Sequence, residues 1–134
     1  MKPGLEEGKT MTMTFTVTED MFAAFEGELI HPTYSTVSMV YHMELISRKL
    51  ILPCLESEEE AMGASVSVEH SAPSPLGTTV TVKATLAKIR PRSVTTHVVL
   101  ENERETIGEG EVKQAVLPKV YIDERLHAED TSKS

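Results

Sequence analysis

Apolar and polar residues alternate without a break over residues 11–18, where Met11, Met13, Phe15 and Val17 share one side and four threonines the other. That period of two predicts a half-buried strand. Thr18 with Glu19 and Asp20 reads as a helix start, and Phe22, Phe25 and Leu29 predict a short helix that His31-Pro32 breaks. The next stretch keeps helical spacing for longer. Met39, Val40, Met43, Ile46 and Leu50 predict a helix from about Thr36 to Leu52, closed by Pro53. Because Val37, Leu45 and Ile51 are apolar too, this helix is expected to be buried on more than one side. Glu-Ser-Glu-Glu-Glu at 56–60 reads as an acidic surface loop.

From Gly63 the period returns to two. Ala64, Val66, Val68 and His70 are predicted on one strand face, with Ser65, Ser67, Glu69 and Ser71 on the other. Pro73, Pro75 and Gly77 mark a turn. Residues 78–89 predict a strand with Val80, Val82, Ala84 and Leu86 inward, and the switch to Ala87 and Ile89 predicts a bulge. Arg90-Pro91-Arg92 turns the chain into a strand carrying Val94, Thr96, Val98 and Leu100. A last strand is expected from about Thr106 to Leu117, with Gly108 and Gly110 inside it. The four later strands are expected as an antiparallel meander. The fold class is then α+β, an antiparallel sheet wrapped around one long helix. No linker or repeat divides residues 1–123, which are expected to form one domain, and the polar residues 124–134 are expected to be disordered. The edges of so small a sheet invite pairing in a symmetric dimer.

Composition narrows the function. A net charge of −8 argues against nucleic-acid partners and against a polybasic membrane footprint. With no Trp and only three Phe and three Tyr, the core must be aliphatic. No apolar run matches a bilayer-spanning helix, and Met1-Lys2-Pro3-Gly4 lacks an apolar leader segment. The single Cys54 cannot form an internal disulfide, so a reducing cytoplasm is the expected compartment.

Three residues carry candidate chemistry. Thr36, Glu44 and His70 offer a hydroxyl, a carboxylate and an imidazole, the raw material of acyl transfer. Each also has a plainer role: Thr36 as a helix N-cap, Glu44 as a surface partner of Arg48 four residues on, His70 as a satisfied rim residue. His42 would line a pocket or sit on the helix surface. Arg90 and Arg92, with Lys88, would either be solvated or meet the phosphates of an anionic ligand. His31, His97 and His127 lack metal-ligand spacing, so no metal and no cofactor is expected. Cys54, at a helix end without an evident base, reads as structural.

Two stretches, His-Pro-Thr-Tyr-Ser-Thr-Val-Ser-Met-Val-Tyr-His-Met-Glu and Gly-Ala-Ser-Val-Ser-Val-Glu-His-Ser-Ala-Pro-Ser-Pro-Leu-Gly, precede a last strand with Gly-Glu-Gly. From about Leu5 to Lys119 this pattern resembles the hotdog-fold thioesterases of the fluoroacetyl-CoA thioesterase type. In that family a Thr, a Glu eight residues later and a His twenty-six beyond form the catalytic set, and Thr36, Glu44 and His70 stand at those spacings. The active-site glycine seven before the histidine corresponds to Gly63. Two features depart from the pattern: Leu45, Ile46, Ser47, Arg48 and Lys49 replace small residues, and Val112 follows Gly110-Glu111 where relatives often have a histidine nearby.

The resemblance implies a dimeric acyl-CoA thioesterase for a short or medium acyl group. His70 would be base or electrostatic partner, Glu44 would orient or activate, and Thr36 would be nucleophile or hold the attacking water. A backbone N–H near Gly63 would meet the oxyanion. A non-catalytic acyl-CoA-binding or regulatory hotdog domain is the alternative; a hotdog hydratase would need an Asp/His dyad that the sequence lacks. In one straight helix, eight residues would separate Thr36 from Glu44 by about 12 Å. Either Thr36 precedes the helix on a loop, or the site combines two subunits.

Overall fold

The computed structural model describes residues 1–133. The N-terminal strand runs as β1 (Thr10–Thr16), its methionines and Phe15 half-buried and its threonines exposed. The short helix expected next is a β-hairpin instead. One 3-10 turn (Glu19–Met21) leads into β2 (Phe22–Phe25) and β3 (Glu28–Tyr34). Between them Glu26 and Gly27 have φ of 53° and 78°, the left-handed pair of a two-residue hairpin loop. The apolar spacing misleads here because Phe25 and Leu29 do not face the core; they are 63% and 57% exposed.

Helix α1 (Thr36–Ile51) matches the expected one. Its N-cap, however, is Ser35, whose side chain accepts the Ser38 N–H at 3.0 Å, so the Thr36 hydroxyl at the first helical position is not used for capping. Met39, Met43, Ile46 and Leu50 form its fully buried stripe. At roughly 1.5–3 kcal/mol per buried side chain, this stripe outweighs a cap worth about 1 kcal/mol and fixes how the helix lies on the sheet. A 3-10 turn (Leu52–Cys54) ends it and buries Cys54.

Strands β4 (Glu59–His70), β5 (Thr79–Arg90), β6 (Ser93–Glu101) and β7 (Thr106–Pro118) follow. They are not a simple meander. The sheet order is β1-β5-β6-β7-β4, so β4 crosses over to pair antiparallel with β7, and β5 takes β1 as its other neighbour. The inward sets of β5 and β6 are buried as expected, with a register shift between Leu86 and Lys88 marking the bulge. Strand β4 begins inside the acidic stretch and has its own shift between Gly63 and Ser65. That extra residue puts Ala61 inside and leaves Ala64 exposed, contrary to the plain alternation. The whole is the hotdog arrangement, with α1 held in the curl of a five-stranded antiparallel sheet.

Residues after Glu124, expected to be disordered, continue a second helix, α2 (Lys119–Lys133). Glu124, Arg125 and Leu126 are good helix formers, and charge does not prevent a helix that starts just past Pro118. Ser134 lies outside the described residues.

Candidate active site

The junction between β3 and α1 is pinned to the turn after β4. Tyr34 N–H donates to the Ser74 carbonyl at 2.9 Å, and Ser35 N–H to the Met21 carbonyl at 2.8 Å. Asn102 Nδ2 holds the Ser74 hydroxyl at 3.2 Å. These bonds bring the first residue of α1 against the last residue of β4. Thr36 Oγ1 lies 2.8 Å from His70 Nδ1. A hydroxyl and an imidazole at that distance can exchange a proton, provided Nδ1 is the unprotonated nitrogen. His70 Nε2 is shielded from solvent and has no hydrogen-bond partner among the described residues.

Thr36 borders two cavities. One, of about 250 Å³, is walled by Tyr34, Thr36, His70 and Pro73. The other, of about 580 Å³, runs under the β2–β3 hairpin between Phe22, Phe25, Ile30 and Val37.

Tyr34 and His42 support this corner from below. Tyr34 Oη is 2.7 Å from His42 Nδ1, His42 stacks on Phe15 with ring centroids 3.9 Å apart, and the Tyr34 ring meets His70 edge-on at 6.3 Å. His42 is therefore not a surface residue; it is buried and engaged. Burial pushes its pKa below the ordinary value, against a hydrogen bond with the Ser38 backbone that raises it. Burial pushes the Tyr34 phenol up. Both stay neutral near pH 7, which keeps two charges out of the core.

Glu44 is elsewhere. Two turns further along α1, its carboxylate stands over Gly63, where a Cβ would come 3.0 Å from Oε1. Glu44 is exposed and makes no hydrogen bond or ion pair among the described residues. The partner suggested by the i+4 spacing is taken: Arg48 donates to Glu60 Oε1 and to the Ala61 carbonyl, each at 3.0 Å. This pair pulls the Glu60 pKa down, with help from the Ala61 N–H. A small cavity of about 120 Å³ is bounded by Glu44, Arg48, Gly63 and Gln114.

Within one chain, then, Thr36 and His70 come together, and Glu44 with Gly63 forms a separate group. His70 is seven residues along β4 from Gly63, about 23 Å. Arg90 and Arg92 are also at the far end of the sheet from His70. Arg90 Nη1 reaches only the Ile89 carbonyl at 3.4 Å, and Arg92 borders a cavity of about 530 Å³ with Glu58, Pro118 and Tyr121. No cluster of His, Cys, Asp and Glu suited to a metal occurs among the described residues. No described helix is long and apolar enough to cross a membrane.

The family model described as fluoroacetyl-CoA-specific thioesterase matches residues 17–120. The chain belongs to this family. It is thus a thioester hydrolase with a hotdog fold. The fluoroacetyl-CoA thioesterase of Streptantibioticus cattleyicolor is 30% identical over 128 residues, covering 87% of this chain and 88% of that protein. A Thermus thermophilus protein described as a thioesterase superfamily member is 35% identical, with a TM-score of 0.91 over 97% of this chain and 96% of its own. The crystallised fluoroacetyl-CoA thioesterase FlK is 26% identical, with a TM-score of 0.85 over 93% of this chain and 97% of its own.

Two residues of these sites escape the sequence reading, Tyr34 and Gln114. Tyr34 precedes the helix with no periodic signal. Gln114 gave one: it interrupts the inward valines of β7, Val112 and Val116, as His70 interrupts those of β4.

Proposed function

We propose that the protein hydrolyses a short or medium acyl-CoA through Thr36 and His70, at a site completed by a second copy of the chain. The observation that carries this reading is the 2.8 Å contact between Thr36 Oγ1 and His70 Nδ1. His70 takes the hydroxyl proton as Thr36 attacks the thioester carbon. Collapse of the tetrahedral adduct breaks the C–S bond, and His70 passes the proton to the departing CoA sulfur. The acyl group lies in the cavity under the hairpin, whose Phe22, Ile30 and Val37 suit an alkyl chain.

Glu44 enters from the other copy. Strand β4 is an unpaired sheet edge, and antiparallel pairing with its own copy is the natural closure. A two-fold axis between Val66 and Ser67 sets Gly63 of one copy opposite His70 of the other, and with it the Glu44 carboxylate. Val37 and Tyr41, 67% and 60% exposed, share with Glu44 the open face of α1 that such pairing would cover. The same operation brings Glu59 of one copy four residues beyond His70 of the other, about 13 Å. Arg92, beside Glu59, is then within reach of the CoA phosphates, with Arg90 next to it. The buried thiol of Cys54 suits a reducing cytoplasm.

Thiol release measured across a panel of acyl-CoAs tests the activity, and intact-protein mass after mixing tests the acyl-Thr36. Turnover retained in Thr36→Ala would transfer the attack to a water activated by His70. No CoA release from any substrate would leave a binding domain.

A further inference from the structure

Gln114 is only 4% exposed, it faces inward between Val112 and Val116, and its Nε2 has no hydrogen-bond partner among the described residues. A buried amide without a partner weakens a fold, and an apolar side chain would fit this position at no such cost. The amide borders the cavity of about 120 Å³ beneath Glu44, opposite Gly63, with which Gln114 pairs across the sheet. At about 30 Å³ per molecule, that space suits a few waters and not an acyl chain. Its walls offer one donor with nothing to donate to and one carboxylate with nothing to accept from.

We propose that Gln114 is a positioning residue for deacylation, holding the hydrolytic water against Glu44. This rests on the reading that Thr36 becomes acylated and that Glu44 comes from the facing copy. The Gln114 N–H donates to the water oxygen, and the water donates to the Glu44 carboxylate. The remaining lone pair points out of the cavity mouth toward the acyl-Thr36 carbonyl. The water oxygen bonds to the carbonyl carbon as its proton passes to Glu44. Collapse then breaks the C–Oγ1 bond, the proton on Glu44 goes to the departing Thr36 oxygen, and the free acid leaves. Gln114 itself touches neither the acyl group nor CoA, so its loss slows the second half of the reaction and spares the first.

Gln114→Met, which keeps the side-chain length and removes the amide, tests this by stopped-flow CoA release, intact-protein mass and thermal melting. The expected result is a first-turnover burst within about twofold of the wild type and a steady-state kcat lower by about tenfold or more. Acyl-Thr36 accumulates, and Tm is unchanged or raised. A purely structural glutamine predicts the reverse, a lower Tm with both half-reactions slowed alike, and that result overturns the proposal. So does steady-state turnover within twofold of the wild type. If Gln114→Met does not fold, Gln114→Asn, which withdraws the amide by one methylene, is read by the same burst and steady-state criteria. A wild type that releases no CoA overturns the thioesterase reading and this proposal together; a normal wild type with an unaffected variant overturns this proposal alone.

Discussion

The two ends of one helix face present opposite situations. At the first residue of α1 the reactive groups already touch: Thr36 and His70 are in contact, braced by the buried Tyr34–His42 pair. Two turns later Glu44 and Gln114 border the same cavity, and Gln114 Nε2 has no hydrogen-bond partner among the described residues. The first region has a hydroxyl–imidazole contact made within one chain, though His70 Nε2 has no partner among the described residues; in the second, no hydrogen bond joins the carboxylate and the amide. On the proposed reading, pairing of two copies brings the two groups together.

The largest expected effect comes from breaking the first region. Thr36→Ala and His70→Ala should each lower kcat by on the order of 100-fold or more with Tm nearly unchanged, since both groups are on the surface of the cavity and not in the core. Mixed subunits sharpen the comparison. On the proposed reading, Thr36→Ala exchanged with Glu44→Gln should recover activity, because one of the two sites in a mixed dimer would then be intact. Thr36→Ala exchanged with His70→Ala should recover none if, as proposed, those residues act from the same chain. The opposite pattern, with subunit exchange confirmed by mass, would reverse the assignment of residues to halves.

Next in size is Gly63→Ala. Its backbone does not require glycine, but the new Cβ would press on Glu44 Oε1 at 3.0 Å and displace the carboxylate. About a tenfold loss of kcat with little change in Tm is expected; a large drop in Tm instead would make Gly63 a structural residue. Tyr34→Phe probes the brace in the other half. It removes the hydroxyl 2.7 Å from His42 Nδ1, and chemical denaturation should register a loss of about 1–3 kcal/mol.

The smallest effect is a pH dependence. Because burial lowers the His42 pKa from 6.5, its contribution to stability is full above 6.5 and is lost as the pH falls from there through the lowered folded value. Tm should therefore start to fall below about pH 6.5, before the carboxylates titrate. His42→Phe should flatten that first decline and leave the later one, from Glu60 falling through its own lowered value, in place. A decline that persists unchanged in His42→Phe would assign it to another group.

How much of this was legible in the sequence depended on whether apolar residues face the core. Where they do, as in Met39, Met43, Ile46 and Leu50 or in the β5 valines, periodicity located the element correctly. Where they do not, as in Phe25 and Leu29 on the hairpin, the same spacing produced a false helix. The crossover of β4 to β7 was hidden because strand order is not a periodic property. Of the proposed site, the spacing of Thr36, Glu44 and His70 singled out the candidates, and the helix rise left two arrangements, a loop folding Thr36 back or a site shared by two subunits. It could not show which pair would meet. That depended on the Ser74 and Met21 carbonyls holding the β3–α1 junction against the end of β4, contacts between residues far apart in sequence.

The eight-residue step along the helix from Thr36 to Glu44 also has a kinetic meaning. On the proposed reading, a solitary chain holds no complete site, so activity is a second-order property of the polypeptide. Where copies are mostly separate, the total rate rises with the square of protein concentration; once they are paired, it rises in simple proportion. Expression level would then set the rate per molecule as well as the number of molecules, and a cell making little of this protein would have disproportionately little of its activity.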